Sequence, residues 1–158
     1  MTGLSALRTI GWTEWRLLAA SVPLLIAVRI GLWLLPSATI VRRVRELAAR
    51  PRTVPEATVP AGDVAWAVEA AARRIPGATC LTQAVSAQLL LLRYGHQAEL
   101  CVGVARDEAG SFRAHAWVET DGKITVGGRG ARGFSRLTDF VVPGQRSQAV
   151  SSAGPEGR

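Results

Sequence analysis

The most apolar part of the chain is the segment Leu17–Pro36, which contains Pro23 and is interrupted by Arg29. A membrane-spanning helix needs about 18–20 uninterrupted apolar residues, and a proline disturbs a straight helix. The pattern therefore favours two buried or half-buried helices, roughly Glu14–Val22 and Leu24–Leu35. The alternative interpretation is contact with a membrane surface through residues 17–36, as an interfacial helix or a hairpin with arginines at anionic headgroups.

The middle of the chain predicts two helices in succession. Asp63 is a suitable N-cap for a helix whose apolar positions run to Ile75, where a Pro-Gly pair follows. A second helix is expected from Thr79-Cys80 to Tyr94, and Gly95 is placed to end it in the left-handed conformation. Its apolar stripe is wide, which is typical of a buried helix.

Beyond Gly95 the apolar period changes from helical to alternating. Ala98–Ala105 and Phe112–Glu119 both alternate, as strands with two different faces do. Asp121-Gly122 is a two-residue hairpin signal that leads to a third strand around Ile124 and Val126. The sequence thus predicts an α+β fold in which a helix packs on an antiparallel sheet.

We divide the chain into four parts from these patterns and from its proline, glycine and serine content. A basic helix is expected at about Ser37–Ala49, and several prolines follow it. The division is an apolar helical segment over residues 1–50, a linker over 51–62, a core over 63–142 and a disordered tail over 143–158.

Composition narrows the possible functions. The chain has 158 residues, two cysteines and a formal net charge of +7. Two cysteines exclude a disulfide framework and a cysteine-rich zinc finger. The arginines are scattered and not interleaved with aromatic residues, so nucleic acid is not expected as a partner. The glycine-rich run Gly127–Gly133 lacks the Lys-Ser/Thr of a phosphate loop, so we interpret it as a flexible loop. We expect no cofactor and no metal.

The candidate chemistry rests on Cys80 and His115. Cys80 falls in the first turn of the predicted buried helix, where unpaired N–H groups and the helix dipole favour a thiolate. His115 lies on the second strand, on the face shared with Trp117. A cysteine at a helix start and a histidine on a following strand form a nucleophile and base pair in cysteine proteases and transglutaminases, whereas most cysteines in apolar helices only pack. Cys101 is mid-strand, and His96 is interpreted as a helix C-terminal cap.

Several strings of residues together resemble a known family. They are RRIPGATCLTQA around Cys80, YGHQAEL after the helix, and HAWVE beginning at His115. The chain resembles the transglutaminase-like leader peptidase of lasso-peptide biosynthesis, the C-terminal part of the microcin-J-processing proteins, over about Asp63–Val126. The resemblance implies a transglutaminase- or papain-like core and a cytoplasmic thiol peptidase that removes the leader from a precursor peptide. The alternative interpretation of residues 17–36 would make this peptidase membrane-associated.

The resemblance also implies site residues and partners. Cys80 would be the nucleophile and His115 the base. From their positions alone, Gln83, one helical turn from Cys80, and Trp117, on the face of His115, are our candidates for contact with substrate. The family places an aspartate on the strand after the histidine, but this sequence has none there. Asp121 is our candidate, with Asp139 or a backbone carbonyl as alternatives. Partners would be the precursor, a separate leader-binding protein and the lasso cyclase.

Two other functions stay open at this stage. One is acyl transfer to an amine on the same fold. The other is a non-catalytic scaffold or membrane-associated binding protein, in which Cys80 merely packs.

Overall fold

The structure, a computed structural model, describes residues 11–50, 59–106, 110–131 and 133–137. Within these ranges the helices are α1 Trp12–Leu34, α2 Ser37–Ala48, α3 Ala61–Ala72, α4 Cys80–Arg93 and α5 Gly128–Ala131. The strands are β1 Ala98–Arg106, β2 Phe112–Thr120, β3 Lys123–Val126 and β4 Ser135–Arg136. The α+β architecture predicted from the sequence is confirmed.

The four strands form one antiparallel sheet in the order β3-β2-β1-β4. Helices α3 and α4 cover one face, on which Leu100, Val118 and Val126 are buried at 1% exposure or less. The other face carries a smaller cluster of Cys101, Trp117 and Ala131 with Phe134 packed against it. The sheet therefore has a helical face, which holds the main core, and an outer face covered in part by α5.

The N-terminal segment differs from the two helices expected there. It forms the single helix α1, with Pro23 inside it. Pro23 and Ala19, whose carbonyl loses its partner at the proline, are both exposed, so water can solvate that group. Leu17 and Leu25, before and after Pro23, both lie in the main core with α3 and α4, and this packing keeps the two halves in line.

The start of α3 and the end of α4 are set by local backbone chemistry. The helix α3 begins at Ala61, with Pro60 at the N-cap position, so Asp63 lies in the first turn and is not the N-cap predicted from the sequence. After α4, Gly95 takes φ +92°, and the N–H of His96 donates to Leu91 O at 2.9 Å. This is a Schellman motif, and it confirms the predicted role of Gly95.

The hairpin between β2 and β3 has the predicted turn. Asp121 and Gly122 both have positive φ, +52° and +72°, as a type I′ turn requires. Thr120 pairs with Lys123 as expected, but the register shifts between Val118 and Glu119. This bulge changes which residues of the segment after β3 come to lie beside His115.

The segments expected to be a linker and a disordered tail fall mainly outside the described ranges. Residues 51–58 of the linker and 143–158 of the tail are not described, and neither is Asp139.

Candidate active site

The start of α4 is held by a cap and by a contact from α1. Thr79 is the N-cap, and its Oγ1 accepts a hydrogen bond from the N–H of Thr82 at 3.2 Å. The preceding turn passes through Gly77 at φ +72°, and Arg29 Nη1 donates to the Gly77 carbonyl at 2.5 Å. Cys80 is thus the first residue of a well-fixed helix, and it is a free, partly exposed thiol.

Cys80 and His115 open onto the same cavity. Its volume is about 460 Å³, and it lies where the start of α4 meets α3, β2 and the segment after β3. The described residues that line it are Glu69, Ala72, Arg73, Ala78, Cys80, Gln83, His115, Ala116, Val126, Gly127, Gly128 and Gly130. The two residues chosen as nucleophile and base are therefore brought to one compartment by elements distant in sequence.

A backbone carbonyl holds the imidazole of His115. Its Nε2 lies 2.8 Å from Gly127 O, and since a carbonyl only accepts, Nε2 carries the hydrogen. Nδ1 is then the nitrogen with the free lone pair, available to take a proton. A carbonyl is the third of the alternatives weighed from the sequence for orienting this ring.

The glycine-rich segment makes a close approach to His115 instead of forming the loop predicted from the sequence. A Cβ on Gly130 would lie 2.7 Å from Cε1 and 2.8 Å from Nε2 of His115. Gly127 has φ +84°, and a Cβ there would lie 3.0 Å from the carbonyl oxygen of Ala116. Both positions need glycine, because a side chain at either would disturb the ring or the strand beneath it.

The outer face of the sheet fixes the other sides of the ring. Trp117 stacks on His115 with centroids 6.1 Å apart and planes 17° apart, and Phe134 lies at 5.4 Å. Trp117 Nε1 donates to Glu119 Oε1 at 2.8 Å, and Glu119 also pairs with Arg136. These contacts hold the indole ring of Trp117 in place, and the stacked indole limits the movement of the His115 imidazole.

The structure separates Asp121 and Trp117 from the cavity. Asp121 is exposed in the β2–β3 turn, six residues from His115 or about 20 Å at the usual strand rise, and it lines a different cavity with Glu99 and Glu119. Trp117 is 3% exposed and is packed behind His115. Gln83 does line the cavity, and its Nε2 donates to Ala78 O at 3.3 Å.

Sequence reasoning missed Glu69, Arg73 and the specific carbonyl of Gly127. Glu69 lies on α3 and Arg73, four residues on, is the C-cap of that helix, so the two side chains lie on one side of it. Nothing in their spacing showed that this side meets Cys80. The Gly127 contact depends on the bulge in the β2–β3 pairing, which has no clear sequence signal.

The other two candidates have structural partners. Burial on the outer face, with Glu119 as the next contribution, raises the pKa of Cys101 to about 11, so this thiol is protonated and unreactive at neutral pH. His96 Nε2 lies 2.7 Å from Val59 O, which ties the end of α4 to the segment before α3.

The chain matches the family model described as "Transglutaminase-like superfamily" over residues 22–139. The protein therefore belongs to this superfamily, which includes cysteine peptidases and acyltransferases and is generally catalytic. No curated protein and no solved structure matches the chain.

The contact between Gly130 and His115 predicts the effect of adding one methyl group. In Gly130→Ala the imidazole must move, so the Nε2–H tautomer held by Gly127 O should no longer be the single form. In Gly128→Ala, the matched control on the same short helix, the new Cβ would meet Ile124 Cγ2 at 3.3 Å and leave the ring in place. Nitrogen-15 chemical shifts of the His115 ring measure this, and identical spectra for the two variants would contradict it.

The pairing of Glu119 predicts how stability depends on pH. The hydrogen bond from Arg136, and then that from Trp117, lower the pKa of Glu119 below its ordinary 4.5. The stabilisation is therefore complete above that pH and is lost as the pH falls through the lowered pKa. Glu119→Gln should cost about 1–3 kcal/mol at pH 7 and progressively less in acid, as measured by urea unfolding.

The control for this prediction is Glu46→Gln on α2, which breaks an exposed pair with Arg42 at 3.7 Å. Its cost should be about 0.5 kcal/mol or less. A Glu119→Gln deficit that stayed constant from neutral to acid pH would contradict the pairing described for Glu119.

Proposed function

We propose that the protein is a cysteine peptidase that removes the leader from a ribosomally made lasso-peptide precursor. The observation that carries the proposal is the shared cavity of Cys80, at the first turn of α4, and His115, whose Nε2 is engaged by a carbonyl. Membership of the transglutaminase-like superfamily supports thiol chemistry at this site. The resemblance of the Cys80 and HAWVE segments to the lasso leader peptidases supports the substrate.

In the first step, Sγ of Cys80 attacks the carbonyl carbon of the last leader residue, and His115 Nδ1 takes the thiol proton. The tetrahedral intermediate collapses when His115 returns that proton to the nitrogen of the first core residue. The C–N bond breaks, the core peptide leaves with a free amine, and a thioester joins the leader to Cys80.

In the second step, water attacks the thioester carbon and His115 takes a proton from that water. The C–S bond breaks, the leader departs with a free carboxylate, and Cys80 regains its proton. Each intermediate places negative charge on the carbonyl oxygen. The backbone N–H of Cys80 has no intrahelical acceptor because it opens α4, so it is our candidate donor to that oxyanion.

The walls of the cavity suggest how a peptide would lie in it. Glu69 and Arg73 place opposite charges on the α3 side, and Gln83 adds an amide one turn along α4 from Cys80. Gln83 holds only a long bond to Ala78 O, at 3.3 Å, so a substrate backbone group would compete for it readily. These side chains would orient the peptide, while Cys80 and His115 perform the chemistry.

The proposed setting is cytoplasmic and involves other proteins. By the same resemblance, a separate leader-binding protein would present the precursor, and an ATP-dependent cyclase would use the freed amine to close the macrolactam. The net charge of +7 would help to attract an acidic leader or partner, an effect that salt weakens.

The test is to mix the full chain with a lasso precursor and its leader-binding protein and to follow products by mass spectrometry. Cleavage should yield a leader with a free carboxylate. Cys80→Ala and His115→Ala should each lower the rate by about 1,000-fold or more, because each removes a member of the reacting pair.

The matched controls are Cys101→Ala and His96→Gln, which change the other cysteine and the other histidine outside the cavity. Both should cleave at nearly the rate of the unmodified protein. Cleavage that survives Cys80→Ala would contradict the mechanism. A product heavier by an added amine would show acyl transfer instead of hydrolysis.

A further inference from the structure

One helix in the described part of the chain, α1, is long and apolar enough to cross a membrane. It is 23 residues long, or about 35 Å at the usual rise. One side is the core side, on which Leu17, Ser21 and Leu25 are 1% exposed or less. A helix that spans a bilayer would have to withdraw these residues from α3 and α4.

The opposite side of α1 is apolar although nothing in the described residues covers it. We call it the outer face of α1, and its large exposed members are Trp12, Trp15, Val22, Ile26, Ile30 and Trp33, which are 40–84% exposed. A helix that is hydrophobic on all sides is normally buried on all sides. The outer face therefore needs a second apolar environment.

The residue types along the outer face match a bilayer interface. Tryptophans lie near both ends, with aliphatic residues between them, and the indole ring favours the boundary between acyl chains and headgroups. Interfacial helices bury such a face about 5–10 Å deep while lying parallel to the membrane. This orientation lets α1 keep its core contacts.

Charge favours an anionic partner over a second copy of the chain. Residues 11–50 contain six arginines and two glutamates. Both glutamates are engaged, since Glu14 accepts from Gly11 N at 2.8 Å and Glu46 pairs with Arg42. Pairing two outer faces would bring together two segments in which arginines outnumber glutamates six to two, and these like charges would repel.

We propose that the outer face of α1 docks in the interface of an anionic lipid bilayer, with α1 parallel to the membrane plane. Docking would place the site beside the membrane, because Arg29 binds Gly77 O just before Cys80. Trp33 also shares a cavity of about 250 Å³ with Thr79, the N-cap of α4.

The experiment is co-sedimentation of the full chain with vesicles of phosphatidylcholine alone or mixed with phosphatidylglycerol. Binding should be strong with the anionic mixture and weak with phosphatidylcholine. Ile26→Glu should weaken binding by about tenfold or more, since it puts a charge where an apolar side chain enters lipid. Ile124→Glu is the matched control, because Ile124 is 46% exposed against 44% for Ile26, and it should bind like the unmodified chain.

A second measurement does not depend on a variant. Lipids brominated near the headgroup should quench the tryptophan fluorescence of the unmodified chain, whereas lipids brominated near the acyl-chain ends should quench it much less. Strong quenching from the bilayer centre would overturn the parallel orientation. Equal binding by Ile26→Glu and Ile124→Glu, or a dimer in solution that Ile26→Glu dissociates, would overturn the proposal.

Discussion

The hydrogen bond from His115 Nε2 to Gly127 O is the contact on which the site depends. It fixes the tautomer, so Nδ1 is the nitrogen whose lone pair is free for proton transfer. The Gly127 carbonyl belongs to the segment just after the four-residue strand β3, where the β2–β3 pairing contains a bulge and Gly127 takes φ +84°. The glycine-rich segment is therefore needed to hold the His115 imidazole in this orientation.

A carbonyl in this position has a chemical consequence. In a triad with aspartate, the carboxylate orients the imidazole and also stabilises the imidazolium that forms during catalysis. A neutral carbonyl orients the ring, but its hydrogen bond to a cation is weaker than one between two charges. Ring contacts with Trp117 and Phe134 limit the rotation of the His115 imidazole. The Glu119–Arg136 pair holds Trp117 in its position.

Local signals in the sequence were sufficient for much of the fold and for part of the site. Some of these signals act only through neighbouring residues, as Thr79, Gly95 and the Asp121-Gly122 pair do. The helix and the hairpin strands that begin or end at these residues are observed as predicted. Cys80 at the start of α4 followed from the same reasoning. The break predicted at Pro23 is wrong, because core packing on both sides of the proline outweighs the local preference for ending the helix there.

The remaining features depend on contacts between elements distant in sequence. The face of α3 that carries Glu69 meets the start of α4 only after the helices pack, and the partner of His115 depends on a one-residue bulge. Asp121 is the nearest aspartate to His115 along the chain, but the type I′ turn holds it at the far end of the hairpin. The apolar outer face of α1 also emerges only when the structure shows which side faces the core.

The most direct measurement of the central claim is the rate at which iodoacetamide alkylates Cys80 near pH 7, made in a Cys101→Ala background so that one thiol remains. If Cys80 and His115 exchange a proton in their shared cavity, replacing His115 with alanine slows alkylation by at least about tenfold. Equal rates with and without the imidazole would contradict the account.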